Sequence, residues 1–149
     1  MKAFPLEPVR GVLQKRTEDA ATALRRHGER KRAAEIKLEE LRGYRSEYLE
    51  QKAAALSAGT TASRLRDFDG FIARLDQAIA AQVADVQRLA ATWETARVHW
   101  MEQRQREQAF DVLADRHADA QMQVESRQDQ KQQDEFASRR NRGDSDPAA

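Results

Sequence analysis

From Leu65 the sequence steps through Phe68, Ile72, Leu75, Ile79, Gln82, Val86, Leu89, Trp93, Ala96 and Trp100, alternating intervals of three and four without a slip. That spacing is the period of a helix wound against another helix, so the stripe is buried only if a second helix lies along it. No proline occurs between Pro8 and Pro147, and proline is the residue a helix interior tolerates least. The chain therefore reads as helix almost throughout. Its best interior break is Ser57-Ala58-Gly59-Thr60-Thr61-Ala62-Ser63. There Gly59 suits the left-handed residue that ends a helix, and Thr61 or Ser63 can cap the next one.

The expected organisation is an N-terminal extension at 1–7, helix one at 8–57, a turn at 58–62, helix two at 63–140 and a flexible tail at 141–149. Helix one has a weaker stripe at Leu13, Ala20, Leu24, His27, Ala34, Leu38, Leu41, Tyr48 and Ala55, with Thr17, Lys31, Arg45 and Lys52 at the remaining positions. Folding the chain back near residue 60 pairs positions whose numbers add to about 120, such as Leu41 with Ile79, Tyr48 with Ile72 and Ala20 with Trp100. Small residues then face large ones. Lys31 and Lys52 can lay their methylene stems on Leu89 and Phe68 while keeping their ammonium groups in water. The fold class is all-α: two long helices forming an antiparallel coiled-coil hairpin.

The two helices are unequal. By the same pairing Val9 falls opposite Asp111, so residues 63–111 of helix two are paired and 112–140 overhang at the C-terminal end. After Trp100 the frame continues through Gln103, Glu107, Phe110, Ala114, His117, Gln121, Val124, Gln128, Lys131 and Glu135, and the stripe turns polar. About half of the chain is Ala, Arg, Glu, Leu or Lys, the composition of long helices rather than of layered domains. The 26 basic and 25 acidic residues leave a net charge of +1, so a thin seam is not opposed by strong self-repulsion.

Several function classes fall away. With no cysteine there is no disulfide or thiolate chemistry. The N-terminus lacks the apolar stretch of a signal peptide, and no window approaches a membrane span. The default expectation is a soluble cytoplasmic chain. Three scattered histidines (His27, His99, His117), no glycine-rich phosphate loop and no domain able to enclose a pocket predict no catalytic site and no cofactor. His99 and Glu102 have a metal-ligand spacing, but such sites need further carboxylates from facing helices, so no metal is expected. The basic run Arg25-Arg26-His27-Gly28-Glu29-Arg30-Lys31-Arg32 raises nucleic acid as a partner. Glu35, Glu39 and Glu40 follow at once, and a solvated helix face is the better reading; docking on an acidic protein surface is a third.

Tyr44 and Phe71 each lie one position off the stripe near the turn, beside Leu75 and Ala78. They form either an exposed apolar patch for a protein partner or simple edge packing along the seam. The segment from Glu125 to Arg140 is densely charged and has no intramolecular partner in this fold, which invites an external one.

The ordered pieces Leu41-x-x-Tyr44-x-x-Glu47-Tyr48, Ser57-Ala58-Gly59-Thr60, Phe71-Ile72-x-x-Leu75-x-x-Ala78-Ile79, Trp100 with Gln108, Leu113 and Arg116, and Glu125-x-Arg127-x-Asp129-Gln130-Lys131-x-x-Asp134-Glu135-Phe136-Ala137 resemble the flagellar FliJ family. The match runs through roughly residues 9–140. The resemblance implies a non-enzymatic coiled coil of the flagellar type III export apparatus, needed for motility and chemotaxis. Its fold would be similar to the central stalk of rotary ATPases. It would sit in the cytoplasm, peripherally associated with the membrane at the flagellar base. Implied partners are the hexameric export ATPase, the cytoplasmic domain of the membrane export gate and the flagellar export chaperones, with no nucleic acid and no membrane insertion.

Carried over by position, Leu41, Tyr44, Tyr48, Phe71, Leu75 and Ala78 would contact the gate, with Lys37 and Gln82 at neighbouring positions. Arg127, Lys131 and Asp134 are the best-matched charged residues for the ATPase-facing end. Two alternatives stay open: the equivalent stalk of a virulence type III secretion system, and an arginine-rich coiled coil that binds nucleic acid.

Overall fold

In a computed structural model, which describes residues 6–144, two helices account for nearly all of the chain: α1 at Leu6–Ala58 and α2 at Ala62–Asp144. No strand occurs among the described residues. Residues 1–5 of the expected extension and 145–149 of the expected tail lie outside them.

α1 starts at Leu6, earlier than the expected 8, and takes Pro8 into its first turn. The N–H that Pro8 lacks is one of the first four, which have no partner within a helix, so the residue costs little there. α2 continues through Asn141–Asp144, four residues expected in the tail, since none of them is a proline.

The connection is short and chemically specified. Gly59 has φ +84°, the left-handed conformation that a Cβ disfavours, and its N–H donates to the Leu56 carbonyl at 3.4 Å. Thr61, rather than Ser63, caps α2: its hydroxyl accepts from the Arg64 N–H at 3.2 Å, satisfying one of the orphan donors of the first turn.

The chain divides into two compact units, Lys15–Arg104 and Met1–Gln14 with Gln105–Ala149. In the first, α1 and α2 run antiparallel and pack along the predicted stripes. Every stripe position between Thr17 and Ala55 and between Leu65 and Gln103 is buried or half-buried. The register is visible in cross-helix contacts: Lys52 to Asp69 at 2.6 Å, Arg45 to Asp76 at 2.5 Å and Thr17 to the Gln103 carbonyl at 3.3 Å. Partner numbers add to about 120, as in an antiparallel heptad pairing.

A two-helix seam is thin. Its buried apolar residues are Ala20, Ala34, Leu38, Ile72 and Leu75, and no described side chain is fully enclosed. Two adjustments fit bulky or polar groups into it. Trp93 lies against Gly28, where a Cβ would stand 3.3 Å from its Nε1, and Lys31 places its ammonium 4.5 Å from the Trp93 ring centroid. Gln82 is buried, and its amide donates to the Ala34 carbonyl at 2.9 Å. Lys31 and Lys52 thus find an aromatic face and a carboxylate for their charges, more than the water expected of them.

In the second unit, Arg10 of α1 reaches Asp111 of α2 at 3.4 Å, and Ala114 is buried. His117 is the last half-buried residue; every residue from 118 to 143 is exposed.

The turn makes two substitutions diagnostic. Gly59→Ala should destabilise the chain by about 1–2 kcal/mol through the left-handed φ, and Thr61→Ala by about 1 kcal/mol through the lost cap. Both should appear as lower urea midpoints with an unchanged slope.

Candidate functional site

The residues flanking the seam of the first unit divide into two chemically different edges. On α2, Asp69 and Asp76 follow the stripe positions Phe68 and Leu75, whereas Phe71 and Ala78 precede Ile72 and Ile79. These pairs lie on opposite flanks of the stripe. The aspartate edge is closed by Lys52 and Arg45 of α1, through the ion pairs described above. Antiparallel pairing sets the residue before each seam position of one helix beside its counterpart on the other, so Tyr44 of α1 shares the edge of Phe71 and Ala78.

That second edge is open and carries aromatic rings flanked by charged side chains. The Tyr48 and Phe71 rings stack with centroids 4.1 Å apart at 27°, and Phe68 meets Tyr48 edge-on at 6.5 Å. Arg64 and Arg74 place their guanidinium carbons 5.9 Å and 5.8 Å from the Phe68 and Phe71 ring centroids. With Asp67 these side chains line a shallow depression of about 350 Å³. Tyr44 stands farther along α1, 52% exposed.

The six residues expected at a gate contact are therefore not equivalent. Tyr44 and Ala78 are exposed, Leu41, Tyr48 and Phe71 are half-buried, and Leu75 is buried at 7% exposure. Leu75 holds the seam together and offers little surface. Phe71 resolves as both edge packing and surface, since one side of its ring is covered by Tyr48. Of the neighbouring positions, Lys37 is exposed and Gln82 is internal. Sequence reasoning missed Arg64, Asp67 and Arg74, although their spacing from Phe68 and Phe71 puts them on one helical face.

In the second unit, Arg127, Lys131 and Asp134 are all exposed on α2. Lys131 and Asp134 line a surface groove of about 300 Å³ with Glu135, Ser138, Arg139 and Arg142. Arg127 lies one helical turn before it. Near this segment α2 also exposes Met122, Val124 and Phe136, at 67%, 53% and 69%.

The charged groups form surface pairs. Arg97 donates to both Glu94 oxygens, at 2.6 and 2.9 Å; this hydrogen bonding holds the Glu94 carboxyl below its usual value and raises the guanidinium above its own. Both residues sit one helical turn apart on α2, an arrangement that orders a helix surface. His99 and Glu102 are exposed. Among the described residues no group of three or more His, Asp or Glu converges as around a metal ion, and no helix is long and apolar enough to cross a membrane.

Comparison with known proteins identifies the relatives of this arrangement. Residues 1–144 match the family described as "Flagellar FliJ protein". The Flagellar FliJ protein of Escherichia coli (strain K12) is 34% identical over 137 residues, covering 90% of this chain and 91% of that protein. That of Salmonella typhi is 33% identical with the same coverage. Among solved structures, a Chlamydia trachomatis chain described as a YscO homolog is similar with a TM-score of 0.50 at 19% identity, covering 95% of this chain and 96% of that one.

The split between seam and edge predicts contrasting variants. Leu75→Ala should lower stability by about 2 kcal/mol or more, as truncation of a buried leucine does. Tyr44→Ala should stay within about 0.5 kcal/mol of the parent. Thermal melts followed by circular dichroism would measure both.

Proposed function

Because the chain belongs to the flagellar FliJ family, we propose that it is a non-enzymatic component of flagellar type III protein export, acting as the stalk of the hexameric export ATPase. The observation that carries this reading is the α2 segment beyond His117, exposed at every described position. Most of a helix's stability in a protein comes from packing one face, and a helix exposed from 118 to 143 keeps every face available to another protein. Its exposed Arg127, Lys131 and Asp134 supply dispersed charge of both signs. Contacts of that kind are individually weak and screened by salt, so a ring could exchange them between subunits without trapping the helix.

A second contact would use the aromatic edge of the first unit. There Tyr44, Tyr48 and Phe71, joined by Leu41 and Ala78, would meet the cytoplasmic domain of the membrane export gate. Half-buried aromatics held in place by stacking are the usual anchors of protein contacts, since little side-chain freedom is lost on binding. Joining ring and gate, the protein would reside in the cytoplasm, peripherally at the membrane, and help pass export chaperones along during flagellum assembly. A stalk of a virulence secretion system is the competing reading. The similarity to the YscO homolog is one of fold at 19% identity, weaker support than the flagellar relatives give.

The test is association with the cognate export ATPase. The full-length chain should be retained by the immobilised ATPase and alter its turnover or ring assembly; no association and no change in either would overturn the stalk role. Arg127→Glu, Lys131→Glu and Asp134→Lys combined should weaken that association and leave the thermal melt unchanged, because all three side chains are exposed. Tyr44→Ala should weaken capture by the gate domain alone.

A further inference from the structure

The face of α1 turned away from α2 carries a charge pattern with two unlike halves. Its middle ridge is Glu29, Ile36 and Gly43, repeating every seven residues. On one flank lie Arg25 and Arg32, followed by Glu39 and Ser46. On the other lie Arg26 and Ala33, followed by Glu40 and Glu47. All are exposed, and Ile36, at the change from base to acid, is 49% exposed. A depression of about 440 Å³ surrounds it, lined also by Arg32, Glu35, Glu39 and Glu40.

We propose that two copies of this chain associate through this face, antiparallel, with Ile36 on the two-fold axis. In a two-fold contact each residue meets one placed symmetrically about the centre, on the same flank. Arg32 then comes beside Glu39 of the other copy, and Arg26 beside Glu47. Glu29 faces Gly43, so the one acid in the basic half meets no like charge. Ile36 covers its own counterpart, in the depression between the two halves.

The pattern favours a second copy over other occupants. A purely acidic partner would match Arg25, Arg26 and Arg32 but be repelled by Glu39, Glu40 and Glu47, and a purely basic one the reverse. A parallel arrangement of two α1 faces would set base on base. Arg26, Arg32, Glu40 and Glu47 make no ion pair within the chain among the described residues; Glu39 is shared with Arg42 at 3.3 Å. Exposed ion pairs around one isoleucine make a modest contact, so the dimer should depend on both concentration and salt.

Sedimentation velocity on the full chain tests this. The mass should rise from 17.0 kDa toward twice that value with concentration at low salt, and fall back at high salt. Two charge variants decide the face and the symmetry. Arg26→Glu with Arg32→Glu puts an acid at all four paired positions, and Glu39→Lys with Glu47→Lys puts a base at all four, so either variant alone sets like charge on like. Each alone should remain monomeric with unchanged helical circular dichroism, and their equimolar mixture should recover the doubled mass, because every pair is restored between unlike copies. A wild type that stays monomeric at low salt, variants that still dimerise alone, or a mixture that does not associate would each overturn the proposal.

Discussion

A pair of helices has one seam, and between residues 15 and 104 every other feature depends on how that seam is filled. Without a third element, no side chain among the described residues is fully enclosed, so the energy per residue is small and must be gathered over many layers. That constraint makes polar seam residues useful for fixing the alignment. Gln82 is tolerated because its amide reaches the Ala34 carbonyl, and sliding by one layer would leave it buried without that acceptor. Trp93 acts similarly through shape: Gly28 leaves the space for its indole, and the next layer offers no such notch. A purely aliphatic seam would bind as well and specify its register less sharply.

The seam also determines what is left for partners. Arg45 and Lys52 occupy stripe positions but are too long and too charged to stay there, and their heads emerge at one edge to meet Asp76 and Asp69. On the opposite edge no such pair occurs among the described residues, and Phe71 and Tyr48 cover each other instead. The asymmetry therefore begins in which flank of α2 holds aspartates and which holds an aromatic. An edge of ion pairs keeps its water, whereas stacked rings, even flanked by Arg64 and Arg74, offer apolar surface that can be covered.

Most of this was legible beforehand. Stripe positions between Thr17 and Gln103 could be read from spacing alone, since heptad phase fixes which face of each helix turns inward. The turn was legible from Gly59 and the threonines, because a left-handed residue and a cap have specific chemistry. The ends were harder: Pro8 sits in the first turn, where its missing donor has no partner, and 141–144, polar like the tail that follows, still belong to α2. Less legible still was the edge. Spacing assigns a residue to a flank but not the direction of its side chain, so the stacking of Tyr48 on Phe71 and the arginines over the rings appear only in three dimensions. Leu75, a stripe position at the seam centre, is buried and has little surface to offer.

The polar end of α2 follows from the same logic. The three-and-four spacing does not stop at Trp100; it passes through Gln121, Gln128, Lys131 and Glu135 with its phase intact while the residue types change. A stripe that keeps its phase while, beyond His117, nearly all its side chains turn polar, Val124 excepted, still presents one continuous face. Burying that face gains little hydrophobic free energy and leaves amides and charges to be satisfied. A partner able to do so must offer polar groups of its own, and such contacts exchange for water at little net gain. A helix built this way can be held without being held tightly.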